Sequence, residues 1–549
     1  MQYGGEYRFG LLVWLLPASG LAWLVDCCWL LVVCVEVVSR FTLDLNSHIV
    51  VVQGGQVSIM GSGSSSAGKG SATAPQKSTS ASSPAENPEA APPVTKEEVD
   101  HATKTIDDAV VELTLYDIVE EKKPKEGNGA TMQIPATLDE VTVEFVTHAL
   151  KSSGHIKDGT TVVSFEKIKF GREKGYLGDK CLLKDIAYAP SAPESALTSI
   201  FVKLFPSDPV VPAAVVERFW DSEVEFLTKT VKTLPDSDKF KVPEIYFAEK
   251  GKVEEGKPPR QIILMESIDD TNTYDILGSM PVSHALRAAE DLAILQAPYW
   301  GWSLEKFRSE LMFDKFGHIQ EQTGLARGMF TMGTNAGLRL FASKDSPLSA
   351  SQKEEFAGYV EFWKFYEQEI WPYLQKRWDS VFKRWTSIPA TLIHCDFHVE
   401  NMICLKDGSN VYLDFQSVRG EGGVRDLAWL LTSSLKSEDR RESESKILEV
   451  YHHALVSRGV EGYSLTQCWQ DFIFMKIAGL WAGILGAGMF ASKNFSEKSG
   501  IFAAQPAEDA IAERKRNSLL FSRIVDDLKH SNWSQMLKSL DEDAEAPDS

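Results

Sequence analysis

The sequence predicts an α+β protein with two lobes, a small lobe rich in strands followed by a larger lobe that is mainly helical. Three short runs of β-branched and apolar residues come first, TTVVSF at 160–165, SIFVKLF at 199–205 and QIILM at 261–265. From Ser283 onward, apolar residues recur mainly at helical spacing. The 549 residues are 43% hydrophobic and 10% aromatic, which is enough for a substantial core.

The two ends of the chain are predicted to lie outside these lobes. Residues 1–40 are an apolar segment, interpreted either as a signal-anchor or as the product of a mistaken start upstream of Met60. Residues 41–100 are rich in Ser, Gly, Ala and Pro and are predicted to be a disordered linker. Residues 536–549 form an acidic tail. Any membrane attachment is expected to run through the N-terminus.

The small lobe is assigned to residues 101–268 and the large lobe to residues 269–535. In the small lobe, helices are predicted near 142–153 and over 213–231, where apolar side chains recur at helical spacing. In the large lobe, the apolar stretch 477–490 is short for a membrane span, so a buried helix is predicted there.

Charge and cysteine content narrow the class of function. The chain has 57 Lys and Arg against 77 Asp and Glu, a net charge of −20, which argues against general nucleic-acid binding. None of the cysteines in the body of the chain forms a CxxC pair or a Cys/His metal spacing. This usage is typical of a reduced, intracellular protein. We therefore predict a cytoplasmic protein, with membrane association through its first segment as an option, and no protein partner is evident.

The most informative segment is 390–431, ATLIHCDFHVENMICLKDGSNVYLDFQSVRGEGGVRDLAWLL. His394, Asp396 and Asn401 give the arrangement H-x-D-x-x-x-x-N, the form of a kinase catalytic loop. Two short β-like runs then follow, joined by the turn sequence KDGSN at 406–410, which predicts a hairpin. The hairpin would bring Asp414 back beside the loop.

These side chains fit the requirements of phosphoryl transfer. Asp396 suits the carboxylate that orients a hydroxyl and accepts its proton. Asn401 and Asp414 suit Mg²⁺, a hard cation that prefers oxygen ligands. Each residue taken singly would be an ordinary turn or capping group, and it is their order and context that favour a catalytic site. His394 is included with the catalytic group, although a structural role fits it better than proton transfer.

The segments IHCDFHVEN, YLDFQ and GGVRDLAWLL resemble those of the aminoglycoside phosphotransferase and choline kinase superfamily, and most closely its ecdysteroid kinase-like, or CHK kinase-like, branch. The resemblance runs from about residue 141 to about residue 532. It implies a protein-kinase-like fold, with the small lobe binding ATP and the large lobe providing catalysis and the acceptor site. It also implies ATP as donor, Mg²⁺ as cofactor and a small-molecule hydroxyl as acceptor.

The same resemblance implies further roles. Lys203 is similar to the lysine that pairs with the donor's phosphates, and Glu223 to the carboxylate that holds it, with Glu225 as the competing candidate. Residues implied to bind the nucleotide by backbone groups are the loop glycines Gly171, Gly175 and Gly178, and Met265 and Glu266 between the lobes. Asp426 is expected to brace the catalytic loop.

The chain departs from the family pattern at Cys395, where Gly is usual, and at Gln296, where His is common. An ordinary protein kinase is disfavoured because the HRD arginine, the DFG glycine and the APE segment are missing. The predicted function is an ATP- and Mg²⁺-dependent small-molecule kinase. The alternative is a catalytically idle, kinase-like nucleotide-binding module tethered to a membrane.

Overall fold

The computed structural model describes residues 44–45, 48–53, 56–61, 132–170, 178–190, 196–206, 213–251, 260–268, 271–272, 274–311, 323–491 and 508–540. Strands β1 (Asp44–Leu45), β2 (His48–Gln53) and β3 (Gln56–Gly61) form a three-stranded antiparallel sheet that belongs to a separate compact unit. These residues fall in the segment 41–100 that is predicted to be a linker, and that domain assignment stays a prediction. Val50 pairs with Ile59 and Val52 with Val57, β-branched residues that favour a sheet.

The remaining elements belong to the other unit, which contains both lobes. The small lobe has a five-stranded antiparallel sheet of order β4-β5-β6-β8-β7. Its strands are β4 (Thr161–Phe170), β5 (Asp179–Ala189), β6 (Ser199–Leu204), β7 (Ile245–Lys250) and β8 (Gln261–Met265). Its helices are α1 (Val143–Ser152) and α2 (Ala213–Thr228), with 3-10 turns at Leu138–Glu140 and Thr230–Thr233.

The two faces of this sheet have different roles. Thr142 caps the N-terminus of helix α1, since its hydroxyl accepts from the backbone N–H of Phe145 at 3.3 Å, and the helix buries Phe145 and Leu150. These side chains pack in one cluster with Cys181 of β5 and Val202 of β6, both fully buried. Because side chains alternate along a strand, the neighbouring residues of β5 and β6 point to the opposite face.

The large lobe is mainly helical. Its first part has strand β9 (Thr271–Asn272), helices α3 (Val282–Gln296), α4 (Leu304–Glu310), α5 (Thr323–Gly337), α6 (Ala350–Glu355), α7 (Ala357–Phe365), α8 (Trp371–Leu374) and α9 (Trp378–Ser387), and single turns at Ala297–Tyr299, Leu338–Ala342 and Tyr366–Ile370. Its second part has β10 (Ala390–Ile393), β11 (Met402–Leu405), β12 (Asn410–Tyr412), β13 (Arg419–Gly422), 3-10 turns at Val399–Asn401 and Phe415–Ser417, and helices α10 (Val424–Ser434), α11 (Ser437–Ser457), α12 (Leu465–Met475), α13 (Ile477–Ala491), α14 (Glu508–His530) and α15 (Trp533–Ser539).

The predicted two-lobed α+β fold of protein-kinase-like type is therefore confirmed. The apolar stretch 477–490 lies in α13, where Ile477, Leu480 and Ile484 are fully buried. Among the residues described above, no helix has both the length and the apolar character that a membrane crossing requires. The predicted N-terminal segment at 1–40 lies outside the described residues, and the boundaries of the domains stay predictions.

Candidate active site

A buried lysine joins three elements that are far apart in the sequence. The ammonium of Lys203, on β6, donates to Oε2 of Glu223, on α2, at 2.5 Å. It also donates to Oδ1 of Asp414, after β12, at 3.3 Å. Burial disfavours the charge on Lys203, but the charges of Asp414 and Glu223 outweigh it and raise the pKa of the lysine. Lys203 is therefore a fixed cation facing a carboxylate of each lobe.

The structure distinguishes between Glu223 and Glu225, the two candidates for the carboxylate that holds Lys203. Glu223 is buried, with 4% of its side chain exposed, and contacts Lys203. Glu225 lies elsewhere on the helix surface and pairs with Lys229 one turn later, at 2.7 Å. An i,i+4 pair of this kind is the ordinary arrangement on a solvated helix face. The structure therefore brings Glu223, and not Glu225, to the lysine.

The loop at 394–401 follows β10, and one buried aspartate holds its backbone. The carboxylate of Asp426, fully buried on α10, accepts from the backbone N–H of His394 at 2.7 Å and of Cys395 at 2.9 Å. His394 uses both ring nitrogens on the backbone, since Nε2 donates to the Leu413 carbonyl at 2.8 Å and Nδ1 accepts from the Asp396 N–H at 3.3 Å. Both residues position the loop, and His394 has no ring nitrogen left for proton transfer.

Asp396 is the residue of this loop that the sequence predicts to meet the acceptor hydroxyl. About half of its side chain, 46%, is exposed. Its Oδ2 accepts from the amide of Asn401 at 3.1 Å, and its Oδ1 lies 3.4 Å from Nε2 of His398. Burial would raise the pKa of Asp396, but the charge and hydrogen bond of His398 outweigh it, so the pKa is held well below its usual range. Asp396 is a carboxylate at neutral pH and can accept a hydrogen bond from a hydroxyl.

His398 lies inside the loop and is not among the residues predicted from the sequence. Its Nδ1 accepts from the backbone N–H of Glu400 at 3.3 Å, and its Nε2 lies 3.4 Å from Oδ1 of Asp396 and 3.2 Å from Nδ2 of Asn401. Burial opposes a charge on this ring, but Asp396 outweighs it and raises the pKa of His398. The sequence feature that could have identified it is a second histidine in the loop, two residues after Asp396. The pattern H-x-D-x-x-x-x-N left that position unspecified.

Asp414 reaches the site through the predicted hairpin. Strands β11 and β12 pair antiparallel, with Met402 opposite Tyr412, and the N–H of Leu413 donates to the Asn401 carbonyl at 2.9 Å. Asp414 has a φ of +63°, a left-handed conformation that costs a non-glycine residue about 1–2 kcal/mol. The next residue, Phe415, stacks on Phe226 of α2 with ring centroids 4.0 Å apart, which holds the turn in place.

The residues present fit a magnesium ion. Burial would raise the pKa of Asp414, but Lys203 and then Lys180 outweigh it, so the pKa is lowered and the carboxylate is charged. The side-chain amide nitrogen of Asn401 donates to Asp396, so the side-chain amide oxygen of Asn401 faces away from Asp396. No group of three or more His, Cys, Asp or Glu placed to hold a metal occurs among the described residues. Two oxygen ligands suffice for Mg²⁺ where phosphates and water supply the others.

The other residues predicted to bind the nucleotide are Gly171, Gly175, Met265 and Glu266. Gly171 and Gly175 lie outside the described residues. Met265 ends β8 and is buried. Glu266 is hydrogen-bonded to Glu244, the residue just before β7. Its N–H donates to the Glu244 carbonyl at 2.8 Å, and its carboxylate accepts from the Glu244 N–H at 3.2 Å. Their contact with adenine stays a prediction.

Cys395 and Gln296, the two residues that depart from the family pattern, both make defined contacts in the structure. Cys395 has a φ of +74°, in the left-handed region that favours glycine, and its Sγ and carbonyl oxygen each lie 2.9 Å from Nη1 of Arg425. Gln296 is fully buried, donates to the Gly423 carbonyl at 2.9 Å and accepts from the Tyr451 hydroxyl at 2.6 Å. Cys395 thus occupies a strained position, and Gln296 packs the large lobe together.

Comparison with known proteins adds one sequence family and several structures. Residues 213–476, just under half of the chain, match the family model DUF1679, described as "Uncharacterized oxidoreductase dhs-27". No curated protein matches the chain. The sheets of the described residues are antiparallel throughout, whereas the dinucleotide-binding fold of many oxidoreductases is built on a parallel sheet.

Several solved structures resemble the chain, among them the following three. The ethanolamine kinase of Plasmodium vivax is 13% identical, with 63% of this chain and 86% of that chain covered and a TM-score of 0.37. The choline kinase of Cryptosporidium parvum is 12% identical, with 74% and 97% covered and a TM-score of 0.38. The macrolide 2'-phosphotransferase of Brachybacterium faecium is 12% identical, with 64% and 97% covered and a TM-score of 0.33. With identities and scores this low, the substrates of these enzymes do not carry over to this chain.

Proposed function

We propose that this chain is an ATP- and Mg²⁺-dependent phosphotransferase that phosphorylates a hydroxyl of a small molecule. The observation that carries the proposal is the contact of Lys203 with both Glu223 and Asp414, at 2.5 Å and 3.3 Å. The three residues come from β6, α2 and the turn after β12, so local structure alone does not account for their meeting. A fixed cation beside a charged carboxylate is what a metal-bound polyphosphate requires.

The acceptor side of the site is built around Asp396. Its carboxylate is exposed enough to meet a hydroxyl, and Asn401 and His398 fix its orientation. In the proposed reaction, the acceptor oxygen forms a bond to the γ-phosphorus of ATP while the bond from that phosphorus to the bridging oxygen breaks. The hydroxyl proton passes to Asp396 and ADP leaves. Because the pKa of Asp396 is low, its first role is to orient the hydroxyl, and it takes the proton late.

The donor side of the site combines charges of both signs. Lys203 would bind phosphate oxygens while Glu223 keeps it extended from the sheet. Asp414 and the amide oxygen of Asn401 would hold Mg²⁺, which supplies neutralisation of the phosphate charge. Most of the catalysis would come from positioning and electrostatic stabilisation, since phosphoryl transfer leaves little covalent work to the protein.

One specific observation favours a second candidate, a kinase-like module that binds nucleotide without turnover. Cys395 occupies a position with a φ of +74°, where a side chain is strained, directly before Asp396. A distorted loop would impair the acceptor side and leave the donor side intact. Against this candidate, Asp426 still accepts from the backbone N–H groups of His394 and Cys395, so the loop is fully braced.

The proposal is tested with the full chain, Mg²⁺ and γ-labelled ATP in a metabolite extract, with the labelled products separated by mass. The variants are Asp396→Asn and Asp414→Asn, and the matched control is Asp407→Asn, on the exposed turn of the same hairpin. A small labelled product that is lost in both site variants and kept in the control supports the kinase. Stabilisation of the wild type by MgATP without any product supports the idle module. Absence of both signals would overturn both proposals.

A further inference from the structure

A second lysine lies opposite Lys203 on the next strand of the small lobe. In the antiparallel pairing of β5 with β6, Lys180 is the direct partner of Lys203, with Cys181 opposite Val202 beside them. Directly opposed residues carry their side chains on the same face, with Cβ atoms about 4.5–5.5 Å apart. Cys181 and Val202 are fully buried on the α1 side of the sheet. Lys180 and Lys203 therefore share the other face, which holds Glu223 and Asp414.

Two like charges directly opposite each other destabilise a sheet unless something compensates them. Here Glu223 and Asp414 lie on the same face of the sheet, and the positive charge of Lys180 acts to lower the pKa of both carboxylates. Two lysines and two carboxylates thus form one charge-balanced group. Lys203 is tied deep in this group with 10% of its side chain exposed, while Lys180 is only half-buried at the start of β5.

The backbone just before Lys180 is shaped to lie against Lys203. A Cβ added at Gly178 would stand 3.0 Å from the Leu204 carbonyl oxygen and 3.2 Å from Cγ of Lys203. The glycine therefore lets β5 begin directly over the stem of Lys203. This close approach sets both lysines at the same end of the strand pair, beside the proposed metal ligand Asp414.

We propose that Lys180 is a second phosphate-binding cation, acting with Lys203 on the polyphosphate of the donor nucleotide. This inference rests on the proposed function and deepens it, because it names a specificity residue of the donor site. The positively charged ammonium of Lys180 favours a nucleotide with a negatively charged polyphosphate chain. A nucleoside without phosphates presents nothing for Lys180 to bind.

Calorimetric titration of the full chain with MgATP and with adenosine tests the proposal. We expect Lys180→Met to bind MgATP about tenfold more weakly than the wild type, the loss of roughly one charge-assisted hydrogen bond. Binding of adenosine stays unchanged, and Lys180→Arg recovers most of the MgATP affinity. The matched control is Lys184→Met, an exposed lysine on the same face of β5 about 13 Å along the strand, which binds MgATP as the wild type does.

The outcomes separate this inference from the proposed function. If Lys180→Met binds MgATP as tightly as the wild type, or loses affinity for adenosine equally, the second cation is refuted while the kinase proposal stands. If the wild type binds no MgATP, the donor itself is refuted and this inference falls with it. Should Lys180→Met fail to fold in a thermal unfolding scan, Lys180→Gln takes its place with the same expected result.

Discussion

The side-chain amide of Asn401 donates to the backbone oxygen of Asp396 at 2.9 Å and to its Oδ2 at 3.1 Å. The residue proposed to orient the acceptor and a residue proposed to hold Mg²⁺ therefore fix each other's orientation. Since the Leu413 N–H also donates to the Asn401 carbonyl, the hairpin that delivers Asp414 is attached to the same point. The acceptor side and the metal-binding side of the proposed site are therefore held in place by the same group of hydrogen bonds.

This coupling predicts different effects for substitutions at the two residues. Asp396→Asn keeps the shape of the side chain and removes the carboxylate, so kcat should fall by about 10²–10⁴-fold. Affinity for MgATP should change little. Asn401→Ala removes a metal ligand and the support of Asp396, and both kcat and MgATP affinity should fall. Steady-state kinetics and calorimetry measure the two effects, and a wild-type kcat in Asp396→Asn would contradict the assigned role.

The two glutamates of α2 give a matched pair for the donor side. Glu223→Gln removes the charge that holds Lys203 and should weaken MgATP binding by about tenfold. Glu225→Gln, two residues away on the same helix, breaks only the exposed pair with Lys229 and should bind as the wild type does. Calorimetry on both variants measures the difference. Equal loss in the two would show that the helix as a whole, rather than the Lys203 contact, matters for binding.

Much of this site could be predicted from sequence because its residues follow local patterns. The loop at 394–401 and the hairpin that returns Asp414 depend on short-range turn chemistry, and the hairpin is confirmed by the pairing of β11 with β12. The strand β6 that carries Lys203 is predicted by its short β-rich run, and the helix α2 that carries Glu223 by apolar residues at helical spacing. Which of Glu223 and Glu225 meets the lysine was decided only by the rotation of α2 against the sheet.

The parts that sequence could not supply depend on register and on backbone conformation. Lys180 becomes significant only once β5 is paired with β6 so that it faces Lys203, and strand register is a tertiary property. The positive φ of Cys395 gives the physical reason why glycine suits that position, which the spacing of the motif does not show.

The backbone at Cys395 predicts the effect of replacing it. Cys395→Gly relieves the left-handed strain at φ +74° but frees the unfolded chain, and the two effects are each about 1 kcal/mol and opposed. Stability should therefore change little, and kcat should be at least that of the wild type. Cys395→Val places a β-branched side chain there and should destabilise by about 1–2 kcal/mol. Urea unfolding and kinetics provide the measurements, and loss of activity in Cys395→Gly would show that the thiol itself is needed.

The buried carboxylate of Glu421 predicts a pH dependence of stability. It accepts from Trp385 Nε1 at 3.0 Å and from Arg419 Nη2 at 2.7 Å, and lies 3.2 Å from Nε of Arg425, which in turn holds the carbonyl of Cys395. Burial would raise the pKa of Glu421, but Arg425 and Arg419 outweigh it and lower the pKa. Its stabilisation is therefore present above the unfolded pKa, about 4.3, and is lost as the pH falls towards the folded pKa.

Glu421→Gln should accordingly destabilise the protein at pH 7 by about 3 kcal/mol, because it leaves buried guanidinium groups without their carboxylate. The difference from the wild type should shrink as the pH falls below about 4.3, where the wild-type carboxylate also begins to lose its charge advantage. Urea unfolding at a series of pH values measures this. The control Glu442→Gln, on the exposed face of α11, should follow the wild-type curve throughout. A Glu421→Gln deficit that stays constant down to acid pH would mean that packing rather than charge accounts for it.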